Sequence, residues 1–155
     1  MPDKKTYLSK EKHTELHNEL DFLQTTRRQE IAEQLETAKS FGDLSENAEY
    51  HEARAAQANL EQRIYELDAM LKNVEIVEHH KSDIAEVGTT VTLDKKGGDA
   101  VTYELVGSAE ADTAAGKISV DSPLGQAIVG KKKGETFDFN APSGKKFTYT
   151  LKKIS

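Results

Sequence analysis

Phe41-Gly42-Asp43-Leu44-Ser45-Glu46-Asn47-Ala48-Glu49-Tyr50 is the stretch that decides the fold, because it interrupts two long helical patterns. Its chemistry is that of a bend. Gly42 suits the left-handed position after a helix, and Asp43 followed three positions later by Glu46 matches a capping box opening the next one. Two helices that stop and restart within so few residues form an αα-hairpin. Its tip carries three carboxylates, Asp43, Glu46 and Glu49. An end loaded with acid suggests delivery to a distant target.

Beyond the bend, Tyr50, Ala53, Gln57, Leu60, Ile64, Leu67, Leu71 and Val74 step by three and four in alternation, with one polar seat at Gln57. That is a coiled-coil seam. Before the bend, Leu16, Leu20 and Leu23 keep the same rhythm, and the pattern then passes Arg27 to Ile31, Leu35 and Ala38 with successive spacings of four around the arginine. The spacing predicts a stutter, a local unwinding rather than a break. No proline or glycine lies between Ser9 and Phe41 or between Leu44 and Val74, so both arms are expected to run uninterrupted. At about 1.5 Å per residue each arm extends roughly 45–50 Å, about twice the width of a compact domain built from the remaining residues. The hairpin is therefore expected to project. Each buried Leu or Ile of the seam contributes roughly 1.5–3 kcal/mol.

From about Val87 the helical period gives way to alternation and turns. Thr89–Leu93 and Val101–Val106 flank Lys95-Lys96-Gly97-Gly98-Asp99, a β-hairpin pattern. Ile118-Ser119-Val120 adds a strand. Ser122-Pro123 before Leu124–Val129 predicts a short helix with serine as N-cap, stopped at Gly130. Thr136–Phe139 and Phe147–Leu151 alternate across Ala141-Pro142-Ser143-Gly144, giving a second hairpin. Val77–Asp83, polar and aperiodic, reads as the junction. The expected class is α+β: an antiparallel helical coiled-coil hairpin over residues 1–78 with its acidic tip at 42–49, then an antiparallel β-sheet domain with one short helix over residues 79–155.

Composition narrows the function. In 155 residues, 36% hydrophobic content is lean for one thick core, which agrees with an elongated arm. There is no cysteine, so disulfides and thiolate metal sites are excluded. Met1-Pro2-Asp3-Lys4-Lys5 opens polar sequence, and no stretch has the length of a membrane span, so a cytoplasmic protein is expected. Residues 1–80 carry 10 Lys and Arg against 17 Asp and Glu, whereas residues 81–155 carry 11 against 10. An acidic arm binds naked nucleic acid poorly, because that affinity comes mainly from basic side chains displacing counterions.

Gly42-Asp43-Leu44-Ser45-Glu46-Asn47-Ala48-Glu49-Tyr50-His51 closely resembles the hairpin-tip signature of the bacterial GreA/GreB transcript-cleavage factors, the GreA type above all. Leu20-Asp21-Phe22-Leu23 with Arg27-Arg28, Glu110-Ala111-Asp112 with Gly116-Lys117-Ile118-Ser119, and Ser122-Pro123-Leu124-Gly125 before Val129-Gly130-Lys131 extend the likeness over nearly the whole chain. The resemblance implies a coiled coil joined to an FKBP-like domain that docks on bacterial RNA polymerase at its secondary channel. It implies a factor, not itself an enzyme, that stimulates the polymerase's own cleavage of backtracked RNA. An isomerase activity does not follow from the FKBP-like likeness. The alternative is a channel-binding relative that inhibits polymerase without stimulating cleavage; a folding helper is a third class.

Carboxylates fit such a role, since a second Mg²⁺ in a two-metal site takes hard oxygen ligands and keeps several waters. By resemblance Asp43 and Glu46 hold that ion, shared with the polymerase active site, and orient the attacking water; the free protein is expected to bind no cofactor. Read locally, the same pair is an N-cap and its third-position partner, worth about 1 kcal/mol. The two uses are reconciled if the capping carboxylate turns outward on docking. Arg54, and with it Lys39 on the facing arm, resembles the family's basic patch for the extruded nascent RNA, the alternative for both being a solvated or intrahelical pair. Tyr50 is expected to pack on Phe41, Leu44 to sit at the tip against local structure or the channel wall, and Asn47 and Ser45 to satisfy turn hydrogen bonds. His13 and His17 lack further ligands and read as surface residues. Lys131-Lys132-Lys133 reads as an exposed turn or a docking aid. A monomer without membrane contact suits a probe that enters a pore.

Overall fold

The computed structural model describes residues 4–43 and 45–155, so the expectation for Leu44 and the Met1–Asp3 segment lie outside the described residues. The chain forms two compact units, residues 13–73 and residues 4–12 with 74–155. The class is α+β.

The helical unit is built from α1 (Lys10–Phe22), a π-helical segment (Leu23–Arg27), α2 (Arg28–Lys39) and α3 (Ala48–Leu71). Leu16, Leu20, Ile31, Leu35 and Ala38 are buried from the first arm, Ala53, Leu60, Ile64 and Leu67 from the second. The stutter has a definite form. In an α-helix a step of four overshoots a full turn by about 40°, so three such steps would carry Ile31 and Leu35 off the seam. The Arg28 N–H bonds back to the Leu23 carbonyl, five residues earlier, which winds an additional residue into that turn and returns Ile31 to the interface. The Thr25 hydroxyl donates to the Asp21 carbonyl (2.6 Å), giving a backbone acceptor in the disturbed ladder a partner.

Charged pairs tie the arms in opposite directions. Arg63 forks onto Glu19 at 2.8 and 3.0 Å, and Arg28 onto Glu61 at 3.0 and 3.0 Å. Both are partly solvated, so each adds little energy, but bidentate geometry fixes how the arms slide. The hydrogen bonds that Arg63 donates to Glu19 raise its pKa above the ordinary arginine value. At about 1.5 Å per residue the 24 residues of α3 span about 36 Å, less than the seam predicts, because the helix opens at Ala48 and closes at Leu71. Val74, expected on the seam, instead begins the strand β2 (Val74–Ile76), where a β-branched run finds a partner in β1 (Thr6–Leu8).

β1 and β2 pair in parallel, with Thr6 opposite Val74 and Leu8 opposite Ile76. The chain leaves the sheet-bearing unit through one strand and returns through its neighbour, the whole helical hairpin serving as the crossover. The main sheet has strand order β5-β4-β3-β7-β6, formed by β3 (Thr90–Lys95), β4 (Ala100–Val106), β5 (Lys117–Ser119), β6 (Thr136–Asn140) and β7 (Lys146–Ile154). Its pairs are antiparallel except β4–β5, which is parallel. α4 (Pro123–Ile128) starts at Ser122, whose hydroxyl accepts from the Gly125 N–H. Val91, Leu93, Leu105, Ile118, Ile128, Phe137, Tyr149 and Leu151 form the core.

β1 lies across Gly107: a Cβ there would stand 2.1 Å from the Tyr7 carbonyl oxygen, so no other residue fits without displacing the strand. Ser9 completes the attachment, its N–H and hydroxyl both donating to the Glu110 carboxylate at 2.9 and 2.6 Å.

Candidate functional site

The tip begins where α2 ends. The Ser40 and Phe41 N–H groups donate to the Thr37 and Ala38 carbonyls, and Gly42 adopts φ +113°, the left-handed region its lack of a Cβ allows. Asp43 follows, fully exposed. Its Oδ1 accepts two hydrogen bonds from one residue, the Ser45 N–H at 3.0 Å and the Ser45 hydroxyl at 2.9 Å. This is an Asx turn reinforced by a side chain. The same bonds, the backbone one foremost, hold the Asp43 carboxyl below its ordinary pKa. Oδ2 has no hydrogen bond among the described residues. Glu46 is exposed one residue beyond Ser45.

The capping box expected from Asp43 and Glu46 does not form. Asn47 is the N-cap of α3, its Oδ1 accepting from the Tyr50 N–H at 3.1 Å. Its Nδ2 donates to the Ala38 carbonyl at 2.6 Å, and the residue is buried. The physical reason is that an amide both donates and accepts: Asn47 satisfies an orphan N–H at the start of α3 and adds a second donor to the Ala38 carbonyl at the end of α2, which also accepts from the Phe41 N–H. Aspartate has no proton for the second bond. Both tip carboxylates are thereby released from capping.

Asn47 and Ser45 thus make turn hydrogen bonds, as their residue types suggest. His51, which the sequence did not single out, places Nε2 3.3 Å from the Ser45 carbonyl oxygen and ties the turn to the first turn of α3. Tyr50 meets His51 edge-on, ring centres 5.8 Å apart, whereas Phe41 is 66% exposed. Phe41 instead borders an open groove of about 660 Å³ between α2 and α3, with Glu30, Glu33, Glu49 and Glu52 along it.

Arg54 and Lys39 differ from the remaining arginines of the arms. Arg27, Arg28 and Arg63 are all in ion pairs. Arg54 donates only to the neutral Gln57 Oε1, at 2.9 Å, and Lys39 stands exposed at the end of α2; neither has a carboxylate partner among the described residues. Arg54 lies six residues into α3, about 9 Å along its axis from Ala48. Away from the tip, His13 and His17 meet edge to face with ring centres 4.5 Å apart. Lys132 and Lys133 are exposed in the turn between α4 and β6, where the Lys132 N–H donates to the Glu135 carboxylate.

As metal donors, Asp43 and Glu46 offer hard oxygens in a solvated turn. Among the described residues no three His, Cys, Asp or Glu side chains converge on one point. Two carboxylates suit a cation whose remaining ligands come from water and another molecule.

The fold and the tip define a two-unit α+β protein whose helical hairpin carries uncommitted carboxylates at its turn. The family description "Transcription elongation factor, N-terminal" matches residues 6–76, and "Transcription elongation factor, GreA/GreB, C-term" matches residues 79–155. The chain belongs to the GreA/GreB family of transcription elongation factors. It is 47% identical over 132 residues to the transcription elongation factor GreA of Caldanaerobacter subterraneus subsp. tengcongensis, covering 83% of this chain and 84% of that one. To the GreA of Oceanobacillus iheyensis it is 42% identical over 145 residues, 92% of each. Among solved structures, the GreA factor homolog 1 (Gfh1) protein of Thermus thermophilus is 25% identical, with TM-score 0.45 over 98% of this chain and 99% of that one.

Proposed function

We propose that this chain enters the secondary channel of bacterial RNA polymerase and stimulates the polymerase's own endonucleolytic cleavage of backtracked RNA, so rescuing arrested complexes. The observation that carries the reading is the division of labour at the tip: Asn47 caps the helix, and Asp43 and Glu46 are left exposed. A second Mg²⁺, when held in the polymerase site, supplies Lewis-acid activation of water and stabilisation of the leaving oxygen. Asp43 and Glu46 present oxygens to that ion and orient the attacking water. Arg54, with Lys39 opposite, neutralises phosphates of the extruded RNA; the guanidinium fork suits phosphate oxygens, and among the described residues no carboxylate competes for it. The sheet-bearing unit docks on the polymerase outside the channel. The factor acts as a monomer in the cytoplasm, away from membranes, with no hydrolytic activity of its own.

The test is transcript cleavage in stalled elongation complexes with the intact chain, Asp43→Ala and Glu46→Ala. Each substitution is expected to remove at least about 100-fold of the stimulation, the scale seen when a transition-state electrostatic contact is lost, while polymerase binding is kept. Full stimulation by both variants would refute the metal role. Binding that blocks cleavage in the wild type would identify an inhibitor that only occupies the channel.

A further inference from the structure

The Asp43 carboxylate does not stand alone in its turn. Ser45 donates twice to its Oδ1, at 3.0 Å from the backbone and 2.9 Å from the hydroxyl, and the Ser45 carbonyl is in turn 3.3 Å from His51 Nε2 on α3. A chain of contacts therefore runs from the helix through one serine to one carboxylate oxygen. We propose that Ser45 is a positioning residue: by engaging Oδ1 from two directions it fixes the Asp43 rotamer and reserves Oδ2 for the incoming cation.

The inference rests on the functional reading above. Its physical basis is preorganisation. A carboxylate on an exposed turn samples several rotamers, and capturing a weakly held ion with it costs that freedom at the moment of binding. Fixing the rotamer beforehand removes the cost. Groups that orient metal ligands commonly change metal affinity by about 10- to 100-fold when removed. The backbone N–H persists in any Ser45 variant except proline, so loss of the hydroxyl alone belongs at the low end of that range. Glu46, exposed one residue on, has no such orienting partner among the described residues, which makes Asp43 the pre-set ligand of the two.

The experiment titrates Mg²⁺ in factor-stimulated cleavage with full-length Ser45→Ala, Ser45→Thr and Asp43→Ala. In parallel, Fe²⁺ replaces Mg²⁺ and local hydroxyl-radical scission of the polymerase reads ion occupancy without requiring RNA cleavage. Ser45→Ala is expected to need about tenfold more Mg²⁺ for half-maximal stimulation, with the plateau retained and Fe²⁺ scission weakened at limiting ion. Ser45→Thr, which keeps the hydroxyl, is expected to restore both. A wild-type Mg²⁺ requirement in Ser45→Ala beside an inactive Asp43→Ala overturns this inference alone. A lowered plateau with unchanged Mg²⁺ requirement also overturns it, since that is the result of a merely structural serine. Full stimulation by Asp43→Ala overturns the metal role of Asp43 in the functional reading and this inference with it.

Discussion

Asn47 shows how one side chain settles the use of its neighbours. Its carbonyl caps α3 at the Tyr50 N–H and its amide caps α2 at the Ala38 carbonyl. Asn47→Ala is expected to cost about 1–3 kcal/mol of stability, the sum of a lost N-cap and a lost hydrogen bond to the Ala38 carbonyl, checked by thermal melting at 222 nm. Asn47→Asp keeps the acceptor but not the donor and should fall between. Asp43-x-x-Glu46 fits the local capping pattern better than Asn47-x-x-Tyr50, and nothing local reveals that the Asn47 amide will also bond a carbonyl nine residues upstream. A second residue-scale device sits in the 77–89 segment, where His80 Nε2 lies 2.7 Å from Glu86 Oε1. The bond to Glu86 raises the His80 pKa, and the bond to His80 lowers that of Glu86. The contribution from His80 is complete below its unfolded pKa of about 6.5 and is lost as pH rises through the raised folded value; that from Glu86 is present above about 4.3 and is lost as pH falls through its depressed value. Between those limits the pair is intact. Glu86→Gln should lower the His80 midpoint in an NMR titration, and an unmoved midpoint would remove the pair from the account.

At the scale of elements, most of the helical hairpin was legible because its seam is periodic. Even the irregularity was readable: four-residue spacings around Arg27 predicted unwinding, and the structure gives it the form of a π-helical segment at Leu23–Arg27. The ends of α3 were less legible, since an unbroken periodic pattern does not announce where a strand partner takes over. The π segment makes its own prediction. Deleting Thr26 would shorten the run between Leu23 and Ile31 and restore three-and-four alternation, so an ordinary helix could pass through with its seam intact. Such a deletion is expected to change the stability of the helical unit by less than about 1 kcal/mol. Deleting Glu33 instead rotates Leu35 and Ala38 by about 100° relative to Ile31 and takes buried side chains off the seam, at a cost of several kcal/mol. Circular dichroism melts of the two deletions decide the matter: equal losses would mean that the π segment does not act as the tolerant point.

On the scale of the whole molecule the two units are interleaved along the chain, which the sequence divided consecutively at residues 78 and 79. The sheet strands and α4 were readable from alternation and caps, but β1 was not. Three residues carry no period, and their partner lies beyond the entire hairpin, with Leu8 opposite Ile76. Yet β1 is fastened to the sheet-bearing unit by distinct means: Leu8 is fully buried, Tyr7 crosses Gly107, and Ser9 donates twice to Glu110. A chain that starts at Lys10 after an initiator methionine therefore loses more than a terminus. Burial of Leu8 contributes roughly 1.5–3 kcal/mol and the charge-assisted bonds of Ser9 about another 1–2, so the sheet-bearing unit should lose about 3 kcal/mol or more. For a unit of this size that lowers its melting temperature by more than about 10 °C. Hydrogen exchange at the Val91, Leu93 and Leu105 amides reads that unit, and the same measurement at Leu60 and Ile64 reads the helical one. Faster exchange in the first group than in the second is the expected result. Unchanged protection in the sheet would show that β1 adds nothing to its stability, and the division at residue 78 would then describe the folding units better than the interleaved one.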